Sequence, residues 1–195
     1  MNRRNMFTLS AITVLGLALL PSNIIAQQGT LKQQLVGTWT LVSYQDINPN
    51  GTKKQYQGAN PKGILMFDAG GRYALVLGPS DRPKLKGNRD NATAGEFHVA
   101  VGTFAASFGT WSVNEADKIL IRRVEGGIIP NAEGKEIGAD QTCLPSRSIG
   151  SCREIISLAG DELKVTQPAV ASTLEQGAIT EHQAAITEIV FKRAK

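Results

Sequence analysis

The sequence predicts an all-β fold: an antiparallel up-and-down barrel of about eight to ten strands with one short helix. Three observations predict it. From Gly37 onward, short alternating runs are broken by turn residues, the pattern of half-buried strands. Three pairs of these runs form hairpins in chain order, and strands joined this way are usually neighbours in space. The segment "LVGTWTLVS" at 35–43 has a counterpart in "FGTWSVNE" at 108–115, and the two hold the only tryptophans, each behind Gly-Thr. A meander of this many strands leaves unpaired edges unless it closes on itself.

The elements follow in order. Residues 38–44 put Trp39 and Leu41 on one face of a strand and Val42 and Tyr44 on the other. Asn50-Gly51 tolerates the positive φ of a tight turn. The clearest hairpin is "GILMFDAGGRYALVL", with Ile64–Phe67 and Tyr73–Leu77 joined by a turn at 68–71. The next segment, "GPSDRPKLKGNRDNAT", is rich in Gly, Pro and charge and reads as a loop. Thr93 with Glu96 three residues on forms a capping-box pattern, and Phe97, Ala100, Val101 and Phe104 share a helical face, so a helix is expected over about 93–103. A second hairpin, "GTWSVNEADKILIRRVEG", turns at 114–117. A weakly patterned excursion follows it. "REIISLAGDELKVTQP" turns through Gly160-Asp161, "VASTLEQGAITEHQ" gives no pattern, and "AITEIVFKR" supplies the last strand.

At the amino end, Arg3 and Arg4 precede an uncharged run from Met6 to Leu20, then Pro21 and a cleavage point after Ala26. Positive, apolar, small is the order of a secretory signal peptide, and the run falls short of the roughly 20 residues that span a bilayer. Residues 1–26 are therefore expected to be removed, leaving one exported domain at 27–195, periplasmic or secreted and with no membrane span. That removal leaves 19 basic against 17 acidic side chains, so the formal charge falls from +4 to +2. The balance gives no argument for nucleic acid as a partner. Cys143 and Cys152, in "CLPSRSIGSC", are the two cysteines, and in an exported chain an even count without neighbouring histidines favours a disulfide over a metal site.

The segments "LVGTWTLVSY", "NPKGILMFDAGGRYALVL", "FGTWSVNEADKILIRRVEGGIIPN" and "LAGDELKVT" together resemble the bacterial lipocalin-like domain proteins. The resemblance spans most of the chain after residue 26 and implies a lipocalin-like barrel. It also implies structural roles: Trp39 plugging the closed end, with Arg193 of the last strand lying across it. Trp111 is read as opening a second strand in the same way. Relatives carry histidines and a tryptophan near the Val-Glu stretch, where this chain has Arg122, Arg123 and Ala132, and the cysteine segment reads as an insertion.

Candidate chemistry is sparse. His98 and His182 each lack a second ligand at metal spacing, so neither a metal nor a cofactor is expected. No serine sits in a Gly-x-Ser-x-Gly turn, and no glycine loop is built to cradle phosphate. Arg123 and Glu125 share one face of their strand and Arg122 takes the other, so at least one arginine faces the barrel and needs a partner there. Tyr44, Tyr73, Arg123 and Glu125 are the candidate ligand-binding residues. The leading expectation is an exported barrel that binds a small apolar or amphipathic molecule without catalysis. The alternatives are an isomerase- or cyclase-type enzyme that uses the cavity, and a structural or interaction protein whose barrel is filled by its own side chains.

Overall fold

The computed structural model describes residues 29–55, 57–139, 153–175 and 178–195, and for 169–175 and 178–185 the backbone alone. The expected signal peptide and the expected Cys143–Cys152 disulfide lie outside the described residues. A five-residue helix, α1 (Leu31–Leu35), leads into β1 (Gly37–Ile47), β2 (Lys53–Gln55), β3 (Lys62–Phe67) and β4 (Arg72–Gly78). Then come α2 (Ala94–Gly102), β5 (Ala105–Asn114), β6 (Ile119–Gly127), β7 (Glu136–Ile137), β8 (Glu154–Ala159), β9 (Glu162–Glu175) and β10 (Ala178–Arg193).

Eight of these strands form a closed antiparallel ring in the order β1, β3, β4, β5, β6, β8, β9, β10. The ring closes because β10 pairs back onto β1, from Trp39 beside Arg193 to Ile47 beside Ile186. β2 pairs with the far end of β1, and β7 pairs with β6 ahead of β8. The expected lipocalin-like barrel is thus the fold observed.

α2 falls where the capping box placed it: Thr93 Oγ1 accepts from the Glu96 amide, and the Glu96 carboxylate accepts from the Thr93 amide at 2.9 Å. α1 was not foreseen. It uses the same device on a single turn, with Thr30 and Gln33 capping one another. Its first two amides, on Leu31 and Lys32, donate to the Glu115 carboxylate at 2.9 Å, which fixes the turn beneath the barrel. Leu35 is then fully buried, closing that end. The described residues of the stretch 170–183, unpatterned in sequence, continue β9 to Glu175 and begin β10 at Ala178, paired antiparallel. Small and polar residues dominate it, so no apolar period marks the strands.

One irregularity changes which side chains point inward. The β1–β10 register shifts between Leu41 and Ser43, leaving Val42 as an extra residue on β1. A bulge of this kind resets the alternation. Before it, Trp39 and Leu41 face the core; after it, Tyr44 is level with inward-facing Ile189. The expectation that Tyr44 lies on the face opposite Trp39 is therefore corrected: the bulge brings both inside.

Candidate functional site

Alternation along β6 places Leu120, Arg122 and Val124 on one side and Arg123 and Glu125 on the other. Burial fixes the phase, for Leu120 and Val124 are 1% exposed and Arg122 lies between them, also buried. The inward arginine is therefore Arg122. Arg123 and Glu125, expected to bind ligand, are both exposed on the outer wall, where Glu125 pairs with Arg72 at 2.5 Å. That is a correction with a simple cause: a period of two tells which residues share a face, and only neighbouring burial tells which face is inside.

Arg122 meets Glu154, the first residue of β8, which is 1% exposed. Its Nε donates to Glu154 Oε2 at 3.1 Å while one terminal nitrogen donates to Oε1, a two-point contact. Gln167 of β9 donates to the same Oε1 at 2.6 Å. On the opposite flank the guanidinium lies 5.4 Å from the centre of the Tyr73 ring, and the Tyr73 hydroxyl hydrogen-bonds Ser107 Oγ at 3.2 Å. Burial disfavours the charge on Arg122, but the Glu154 carboxylate, its hydrogen bonds and the Tyr73 and Tyr44 hydroxyls outweigh it. The Arg122 pKa is consequently held above its ordinary value.

A second polar pair sits on the adjoining wall. Thr187 Oγ1 donates to Asp46 Oδ1 at 2.7 Å, and both residues are buried. Tyr44 lies on this wall, half-buried against the core. Tyr44 and Tyr73, both expected to line the interior, thus border a polar zone held by Arg122, Glu154, Gln167, Asp46 and Thr187. Glu154, Gln167, Asp46 and Thr187 were not singled out from the sequence. Glu154 nevertheless keeps the phase of Ile156, Gln167 that of Leu163 and Val165, and Thr187 that of Ile189 and Phe191.

The other end of the interior is apolar and plugged. Trp39 is fully buried and its Nε1 donates to the Leu35 carbonyl at 2.8 Å. The Arg193 guanidinium stacks 4.2 Å from the Trp39 ring centre and donates to the carbonyls of Val36 and Gln34 at 3.0 and 2.6 Å. Trp111 leans against Phe67 with ring centres 4.5 Å apart and donates to the Asp68 carbonyl at 3.2 Å. The two Gly-Thr-Trp motifs therefore sit at the same closed end, on strands separated by β3 and β4.

His98 is exposed on α2, and His182 lies on the part of β10 described by its backbone alone. Among the described residues, no group of three or more His, Cys, Asp or Glu is arranged to hold a metal ion, and no helix is long and apolar enough to cross a membrane.

The sequence model of the lipocalin-like domain matches residues 36–187. No curated protein matches the chain. Among solved structures, one described as EF1p2_mFAP2b bound to DFHBI aligns over 83% of this chain and 95% of its own, with 14% identity and a TM-score of 0.35.

Proposed function

Because the chain belongs to the lipocalin-like domain family, matched over residues 36–187, we propose that it is an exported carrier that binds a small amphipathic molecule inside its barrel. The single observation that carries this reading is the division of the interior. One end is apolar and closed by Leu35, Trp39 and Trp111; above it stands a buried polar zone centred on Arg122 and Glu154. Ligand sites combine apolar walls with a few fixed polar groups, which is the composition here. The apolar part of the ligand lies against Tyr73 and its neighbours, and its polar end lies toward Tyr44, Gln167 and the Arg122 guanidinium. Arg122 is already neutralised by Glu154, so the site favours an uncharged polar end, such as a hydroxyl or carbonyl, over a full charge. No catalytic step is assigned. Export rests on residues 1–26, whose removal leaves the barrel as the mature chain.

A second reading is favoured by one observation. Arg122, Glu154 and Gln167 satisfy one another, as they would in a barrel filled by its own side chains. Native mass spectrometry of protein purified from its own source separates the two. The carrier reading expects a mass above that of the polypeptide which falls to the bare chain after organic extraction, and which is reduced in the Tyr44→Ala variant. A bare chain throughout, with no uptake from an extract of the same source, supports the filled barrel.

A further inference from the structure

The buried polar groups of the barrel answer one another almost throughout. Arg122, Glu154 and Gln167 share hydrogen bonds, Thr187 donates to Asp46, and both tryptophan Nε1 groups donate to backbone carbonyls. Gln57 is the exception. It is 9% exposed, and its Oε1 is the one buried side-chain nitrogen or oxygen among the described residues without a hydrogen-bond partner. A buried acceptor with no donor forfeits the bond it made to water in the unfolded chain, so nearly all such atoms in folded proteins have a partner.

The register places Gln57 beside the polar zone of the interior. One edge of β1 is taken by β10 from Trp39 to Ile47. The other edge is shared: β3 borders Gly37 to Thr40, near the plugged end, and β2 borders Gln45 to Ile47, toward the open end. Between them, residues 41–44 have no partner strand on that edge among the described residues, and the chain from β2 to β3 crosses this gap. Gln57, two residues beyond the Gln55–Gln45 rung, stands at the height of Ser43 and Tyr44. The β4–α2 loop reaches the same segment, for an ideal Cβ on Gly58 would fall 3.7 Å from Asp81 Oδ1. The Asp81 carboxylate is an acceptor and has no hydrogen to offer the Gln57 carbonyl.

We propose that Gln57 Oε1 accepts a hydrogen bond from the polar end of the ligand, which therefore carries a hydroxyl or an N–H group. The proposal rests on the carrier reading and narrows it. A ligand whose polar end is a ketone, an ether or an ester offers acceptors alone and leaves Oε1 unanswered. A site built to bond a donor discriminates against the analogue that lacks it, because the buried acceptor is then left unpaired.

Native mass spectrometry of the wild type, purified from its own source and exchanged into heavy water, tests this without a variant. The molecule released from the barrel is expected to gain the mass of one or more exchangeable hydrogens. Gln57→Leu removes the acceptor at similar size. Stripped of ligand, the variant is expected to be at least as stable to urea as the stripped wild type, since the unpaired acceptor goes with the amide. Purified from the same source, it is expected to retain the molecule at about a tenth of the wild-type occupancy or less. Lower stability of the stripped variant would mean that Oε1 is bonded within the protein, and would overturn the proposal. Unchanged occupancy, or a bound molecule with no exchangeable hydrogen, would overturn it too while leaving the carrier reading standing. A wild type that carries nothing defeats the carrier reading and this proposal with it.

Discussion

At the scale of single residues, the buried Arg122–Glu154 pair sets the polar end of the interior. Removing one partner leaves the other charge uncompensated inside the barrel, which costs about 3–5 kcal/mol. Arg122→Met and Glu154→Met are each expected to show that loss in urea denaturation, and the double variant to regain most of it. Equal losses in single and double variants would mean that the pair is not coupled. Arg193→Ala removes the stacking on Trp39 and two hydrogen bonds to the α1–β1 turn, an expected loss of about 1–3 kcal/mol in the same assay. Glu188 makes the pH prediction. Desolvation pushes its pKa up, but hydrogen bonds from Lys164 and Gln45 prevail and hold it below the usual carboxylate range. A pKa lowered by folding contributes stability in full above the unfolded value of about 4.3, and the contribution is lost as pH falls through the folded one. Glu188→Gln should therefore weaken the protein at neutral pH and shrink its further loss below about pH 4, as read from melting temperatures across the acid range. Residue identity was legible where burial neighbours were obvious. Thr187 and Glu154 were legible in principle, since each continues an apolar phase, yet a polar residue in an apolar phase is easily passed over as a strand end.

At the scale of elements, the hairpins, the turns and α2 follow from local chemistry: Gly51, Gly71 and Gly160 supply positive φ at three turns, and Thr93 with Glu96 starts the helix. Bulges were not legible, because they arise from how one strand meets another. Val42 shifts β1 against β10, and the β5–β6 register shifts between Phe108 and Gly109. The second bulge explains Gly109. Its ideal Cβ would lie 1.9 Å from the Arg123 carbonyl oxygen, a backbone atom that cannot swing aside. Gly109→Ala is expected to destabilise by about 2 kcal/mol or more, beyond the range of ordinary surface changes. Deleting Val42 should leave Tyr44 inside, because Ser43 then follows Leu41 in regular alternation and Tyr44 stays level with Ile189, and quenching of tyrosine fluorescence by acrylamide should not rise. A rise in quenching would mean that the ring had entered solvent and that Val42 is not the extra residue.

At the scale of the whole molecule, the chain is held as a ring by the pairing of its first long strand with its last. Sequence order alone implied that neighbours pair, and the cost of free edges implied closure; the contents of the ring depend on strand phase and so became visible only in three dimensions. Ending the chain before Ile189 removes the rungs from Trp39–Arg193 to Tyr44–Ile189, and a single cooperative unfolding transition is then expected to give way to a broad one. The most direct test of the central claim is an NMR titration of the protein with the molecule extracted from it, following the Tyr44 and Tyr73 rings and the Nε–H groups of Arg122 and Arg123. The account predicts saturable shifts at Tyr44, Tyr73 and Arg122 with Arg123 unmoved on the outer wall. Shifts confined to Arg123 and the exterior, with the inward groups unmoved, would contradict it.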